Sequence, residues 1–249
     1  MNKRINQLAC CLLLLFSVNA ISSSAVAQNK RILVFSKTAG FYHQSIPAGI
    51  AALQKLGAEN KFAVDTTKDA AVFTAANLKQ YAAVVFLSTT GDVLNGEQQK
   101  AFEEYIQAGG GFVGIHAATD TEYEWPWYGK LVGAYFLKHP EQQMATLQVV
   151  DRRNISTRHL PATWARKDEW YNFKEIQPDL HVLIKLDEST YKGGTNGNDH
   201  PIAWYHNYDG GRAFYTGLGH VDASYTDPLF LKHLLGGIQY AMGIKKMPL

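Results

Sequence analysis

Short, continuous apolar runs alternate with helix-like segments through the first half of this chain. That alternation restricts the fold more than any other feature. The runs are Arg31 to Ser36, Lys61 to Thr66, Ala82 to Leu87 and Phe112 to Ile115. A strand buried on both faces reads as an unbroken apolar run, because neither face meets water. Between the runs, Ile46, Ile50, Leu53 and Leu56 share one face of a helix from about Ile46 to Leu56. Pro47 suits its first turn and Gly57 its stop. A short helix is expected over Ala75 to Gln80 and a longer one over Asn95 to Ala108. The β-α-β-α-β-α-β order predicts an α/β fold, with a parallel sheet and helices on both faces. The length and the 12% aromatic content suit one core and one domain.

The second half is less regular. Ala145 to Val150 and Leu180 to Lys185 read as strands, and Arg152 to Lys167 as loop or short helix. Pro201 to Tyr205 and Gly211 to Tyr215 read as a hairpin joined through Asn207-Tyr208-Asp209-Gly210. Phe230 to Met242 reads as a closing helix.

In open α/β sheets, ligands bind at the carboxyl ends of the strands. At that edge, Gly109-Gly110-Gly111-Phe112-Val113-Gly114-Ile115-His116-Ala117-Ala118-Thr119-Asp120 takes an apolar strand straight into a small, polar turn. Related turns carry a Ser or Cys nucleophile. Here the position holds His116, which excludes hydroxyl or thiol attack from it and suits acid–base work or metal ligation. His43 follows the first strand just before a helix start, and His220 with Asp222 follows the last strand. His43, His116, His220 and Asp222 could therefore converge as an N/O set for a divalent cation, Zn2+ or Mn2+. No HExxH, CxxC or calcium loop is present.

Two further clusters suit a sugar. Asp120-Thr121-Glu122-Tyr123-Glu124-Trp125-Pro126-Trp127-Tyr128 combines acids with aromatic rings. Carboxylates hydrogen-bond hydroxyls and rings cover the apolar faces of sugars; the same loop also suits a lid or plain aromatic packing. Asp168-Glu169-Trp170-Tyr171 puts two acids side by side, of which one at most faces a site. Tyr171 and Trp204 complete the expected binding surface, with Asp120, Tyr123, Trp125 and Asp222. His139 reads as a loop histidine, structural or solvated more often than functional.

The N-terminus has the pattern of a secretory signal over residues 1–27. It has Lys3 and Arg4, an apolar Cys10 to Phe16, and Ala25-Val26-Ala27 as the cleavage site. The apolar run is too short to span a bilayer. Residues 28–249 would form the mature domain, secreted to the periplasm. Both cysteines, Cys10 and Cys11, fall in the signal, so the mature domain has no thiol chemistry. Without Lys3 and Arg4 it carries 22 basic and 22 acidic residues. That balance gives no field for nucleic acid or an anionic membrane.

Six motifs, in order, resemble the ThuA-like (trehalose-utilisation) family. They are Phe41-Tyr42-His43-x-Ser45-Ile46, Gly114-Ile115-His116-Ala117-Ala118-Thr119-Asp120 and Tyr128-Gly129-x-Leu131-Val132-Gly133-Ala134, then Asp168-Glu169-x-Tyr171, His200-Pro201-x-Ala203-Trp204 and Gly211-Arg212-x-Phe214-Tyr215-x-x-Leu218-Gly219-His220. The resemblance spans about Arg31 to Met242. It implies a class I glutamine amidotransferase-like, flavodoxin-like domain and a link to sugar catabolism, including glycosides oxidised to 3-keto sugars by a partner dehydrogenase. Amidotransferase activity does not carry over, because His116 stands at the nucleophile position.

The leading expectation is a carbohydrate-processing protein acting on a glycoside or 3-keto sugar by elimination, hydrolysis or isomerisation. His116 would be base or metal ligand, and His43 and His220 would polarise a carbonyl or complete a metal site. Glu169 and Asp120 would orient hydroxyls. The rivals are a non-catalytic sugar-binding or scaffold protein and an ordinary glycosidase with paired carboxylates.

Overall fold

The computed structural model describes residues 31–247. The signal segment expected over residues 1–27 lies outside the described residues. Among the described residues, eleven strands form two sheets. The first half supplies β1 (Arg31–Phe35), β2 (Ala63–Thr67), β3 (Ala83–Leu87) and β4 (Gly111–Ile115). Then come β5 (Tyr135–Lys138), β6 (Gln143–Val149), β7 (Thr163–Asp168), β8 (Asn172–Lys174), β9 (His181–Asp187), β10 (Pro201–Tyr208) and β11 (Gly211–Thr216). The helices are α1 (Ile46–Asn60), α2 (Ala75–Leu78), α3 (Gly96–Gln107), α4 (Pro126–Val132) and α5 (Pro228–Ala241).

The main sheet runs β2-β1-β3-β4-β11-β10-β9-β6-β7, and β5 pairs with β8 apart from it. From β2 to β11 every neighbour is parallel; from β11 to β7 every neighbour is antiparallel. This is the expected α/β architecture, with a parallel half and an antiparallel extension. The four reversals between β11 and β7 leave β7 running in the same direction as β4. Its carboxyl end therefore points to the same edge of the sheet.

Strands β3 and β4 are buried along their whole length. Phe86 on β3 touches Phe35, Phe102, Phe112 and Tyr128, which joins the sheet to α3 and α4. Each such side chain contributes about 1.5–3 kcal/mol by leaving water. On the opposite face α5 packs on β4 and β11 and meets α1. There Gly237 lets the helix backbone come down on Phe214; a Cβ at this glycine would lie 2.3 Å from that ring. Helix α3 starts in a capping box, with the Asn95 side chain on the Gln98 N–H and the Gln98 side chain on the Asn95 N–H.

The structure differs from the expected elements in several places. Helix α4 is not among the expected elements, and α1 runs through Gly57, expected as its stop, to end at Asn60, with Lys61 at positive φ as the cap. The β10–β11 turn is only Asp209-Gly210, both at positive φ, so both strands are longer than expected. Strand β7 falls in the stretch expected as loop or short helix. Its inward residues are Trp164, Arg166 and Asp168, so its alternation is not apolar against polar. The β5–β8 pair has no counterpart among the expected elements. No described helix is long and apolar enough to cross a membrane.

Candidate functional site

The parallel strands deliver three histidines to one edge. His43 follows β1, His116 follows β4, and His220 follows β11. The His43 and His116 rings lie 4.7 Å apart, His43 and His220 5.1 Å, and His116 and His220 5.0 Å, all centroid to centroid. Glu169, just past the end of β7, completes the group. One donor atom from each of His43, His116, Glu169 and His220 lies within 4.8 Å of every other.

Backbone geometry fixes the members. His116 sits at φ 52°, a left-handed conformation that a non-glycine residue adopts at a cost, and this sharp turn lifts its ring off the strand end. Its Nδ1 lies 3.0 Å from the Gly217 carbonyl, which can only accept, so Nδ1 carries the proton and Nε2 presents a lone pair. Gly219 at φ +113° turns the chain before His220. Asp168 holds that turn from below: its carboxylate accepts the backbone N–H groups of Gly219 and His220, each at 3.1 Å. Asp168 is itself buried against Arg166 and Ser224. Of the two adjacent acids, Glu169 thus faces the histidines and Asp168 braces them.

The inner atoms are rich in lone pairs. His116 Nε2, His220 Nδ1 and Glu169 Oε2 form a triangle with sides of 3.0, 3.0 and 3.4 Å. Tetrahedral bonds of about 2.1 Å place donors roughly 3.4 Å apart, so the triangle suits a bound divalent ion. His43 Nδ1 is buried without a hydrogen-bond partner. Burial, with His116 and His220 adding to it, lowers the His43 pKa to about 3 and keeps the ring neutral, as a ligand must be. Burial pushes the Glu169 carboxyl up, but the adjoining His116 and His220 outweigh it and hold the group well below the usual carboxylate range. Three imidazoles and one carboxylate fit Zn2+ or a similar divalent ion.

Around this group, the Tyr171 ring packs on His116 at 4.5 Å and on Phe136 at 4.3 Å. Asp120, half-buried, accepts from the Tyr123 hydroxyl at 2.6 Å. Three expected site residues lie elsewhere. Trp204 is fully buried in the core, packed on Tyr215 and Phe173, with its indole N–H on the Val132 carbonyl. Trp125 is buried against Trp127 and Tyr128 and bonds Glu103 of α3, so it anchors α4. Asp222 is exposed and outside the donor group, where Glu169 supplies the carboxylate.

Two residues at the mouth lie outside the expected site. His139 Nδ1 lies 3.3 Å from the outer oxygen of Glu169, with the ring half-exposed. Phe41, 64% exposed, meets the His43 ring edge-on at 4.9 Å. A 590 Å³ cleft lies at the opposite edge of the sheet, by Tyr105, Gly109 and Arg212, away from all these groups.

The profile of the trehalose-utilisation family, ThuA, matches residues 31–241. The chain belongs to the ThuA family. Among solved structures, a ThuA-like protein from Bacteroides uniformis is 25% identical with a TM-score of 0.75, covering 89% of this chain and 94% of that one. A ThuA-like protein from Parabacteroides merdae is 23% identical with a TM-score of 0.72, covering 86% and 90%. A β-galactosidase from Bacillus circulans shares the fold alone, at 11% identity and a TM-score of 0.58, over 31% of its length. No curated protein matches the chain. Family membership sets this chain in carbohydrate utilisation.

Proposed function

We propose that this ThuA-family protein is a metal-dependent enzyme acting on a 3-keto glycoside by elimination of the aglycone. One observation carries the reading: His43, His116, Glu169 and His220 converge, buried, at the carboxyl edge of the parallel strands. A divalent ion held there would act as a Lewis acid toward a carbonyl oxygen. The chain's own residues supply the rest. The Gly217 carbonyl fixes His116 as a donor through Nε2. Asp168 fixes the His220 turn. Tyr171 and Phe136 wall the His116 side with apolar rings and limit water there.

A carbonyl at C3 acidifies the neighbouring C–H, and a polarising centre with a base can remove that proton. Oxidation of the parent glycoside at C3 must supply the keto group, so the protein would follow a sugar 3-dehydrogenase. Export to the periplasm, by the N-terminal pattern of residues 1–27, completes the proposal.

Paired parent and 3-keto glycosides, followed by chromatography, test it. The keto member should be consumed and its parent spared. Equal consumption would indicate an ordinary glycosidase. Binding without turnover of either would indicate a sugar-binding module.

A further inference from the structure

We infer that Asp120 is the group that carries the proton in this reaction, a role that rests on the keto-sugar reading above. The observation is the arrangement of Asp120, Tyr123 and Phe136. The Tyr123 hydroxyl oxygen lies 2.6 Å from Asp120 Oδ1 and 3.1 Å from the Phe136 carbonyl oxygen. A phenol has one proton to donate and can also accept. When Asp120 is ionised, Tyr123 donates to it. When Asp120 is protonated, Oδ1 donates to the phenol oxygen, and the phenol turns its own proton to Phe136. Asp120 and Tyr123 each keep a partner in both states.

The other buried acids nearby are not built this way. Glu122 accepts from the backbone N–H groups of Val93 and Leu94 and from the Gln99 amide. Asp168 accepts from three backbone N–H groups, those of Glu169, Gly219 and His220, from Arg166 and from the Ser224 hydroxyl. The backbone, amide and guanidinium N–H groups around these two acids can only donate.

The position also fits. Asp120 closes the short turn that begins at His116, and its backbone is pinned on both sides, N–H to the Ala117 carbonyl and C=O to the Gly91 N–H. The charged and titratable groups acting on it are Tyr123, His116 and His139. Burial raises its pKa, against the opposing pull of the Tyr123 hydrogen bond and the two histidines, which brings the carboxyl nearer to working pH.

The step balances without a further reagent. Asp120 takes the proton from C2 of the 3-keto glycoside, and the C–H electron pair forms the enolate with the C3 carbonyl. The carbonyl re-forms as the C1–O bond breaks, which leaves a double bond between C1 and C2. The aglycone oxygen leaves with the bonding pair and takes the proton back from Asp120.

The test is proton NMR of methyl 3-keto-β-glucoside in D2O with metal-loaded enzyme, reading loss of the C2 proton and release of methanol. Asp120→Asn should slow both by about 10²–10⁴-fold, with metal content and Tm at the wild-type level. Tyr123→Phe should stay active and move the acid limb of the pH–rate profile upward, because the ionised carboxylate loses its donor; a packing role would leave that limb in place. Wild-type rates in Asp120→Asn, or an unmoved limb in Tyr123→Phe, would overturn the assignment to Asp120 while the keto-sugar reading stood. A wild-type enzyme that leaves both the C2 proton and the methoxy group untouched would overturn that reading, and this one with it.

Discussion

The imidazole of His116 donates from Nδ1 to the carbonyl of Gly217, 3.0 Å away at the end of the neighbouring parallel strand. One hydrogen bond between β4 and the turn after β11 thereby sets which nitrogen of His116 faces His220 and Glu169. Ligating histidines are commonly fixed this way, by an outer acceptor on the far ring nitrogen. His116→Gln keeps a polar side chain but cannot reproduce both contacts. We expect it to lower metal affinity at least 10-fold, measured by competition with a chromogenic chelator.

Asp168 should matter to stability as well as to the site. Asp168→Ala removes the partner of a buried Arg166 guanidinium and the acceptor of three backbone N–H groups. Breaking a buried pair from one side costs about 3–5 kcal/mol. The lower end is expected, since Asp227 still lies 3.5 Å from Arg166. Urea unfolding should show this loss. The remaining folded protein should bind metal 10–100-fold more weakly, because the His220 turn loses its brace.

His233 predicts an acid-sensitive core outside the donor group. It is fully buried on α5, bonded through Nδ1 to the Ser156 carbonyl, with Nε2 unpartnered. Burial lowers its pKa to about 3 from an ordinary 6.5. The unfolded chain therefore binds a proton that the folded chain refuses between those values. Stability should fall by about 1.4 kcal/mol per pH unit as pH drops from 6.5 towards 3, and hold steady above 6.5 on this account. His233→Gln should remove this share of the slope in urea midpoints measured across pH 4–7, leaving the share that the equally shifted His43 adds.

Trp204 and Trp125 should behave as core residues. Trp204→Ala should cost about 3–5 kcal/mol, seen as a lower Tm. Calorimetric titration of the folded variant should give wild-type affinity for the 3-keto glycoside. A selective loss of affinity at unchanged stability would put the indole back in the binding surface.

Much of the fold was legible because burial on both faces writes itself as unbroken apolar runs, as in Ala83–Leu87. Strand β7 escaped because its inward face carries Trp164, Arg166 and Asp168, whose polar groups are satisfied by an ion pair that sequence pattern does not reveal. The meeting of His43, His116 and His220 was legible from topology, since parallel strands end at one edge. Glu169 was legible as an acid, but its approach depends on four strand reversals that bring β7 back to that edge. The aromatic residues misled: Trp204 and Trp125 have the composition of a sugar platform and the burial of a core. His139 and Phe41 reach the mouth through loop geometry and left no pattern to read.

The central claim is the four-ligand centre, and metal content tests it most directly. Elemental analysis of protein purified without chelator, then of stripped protein reloaded with Zn2+ or Mn2+, should give close to one ion per chain. The loaded protein should melt at a higher temperature, because an ion at 100 times its Kd adds about 2.7 kcal/mol to the native state. His116→Ala combined with Glu169→Gln should abolish both the ion and the shift. Wild-type protein that takes up no divalent ion and gains no stability from any would contradict the account.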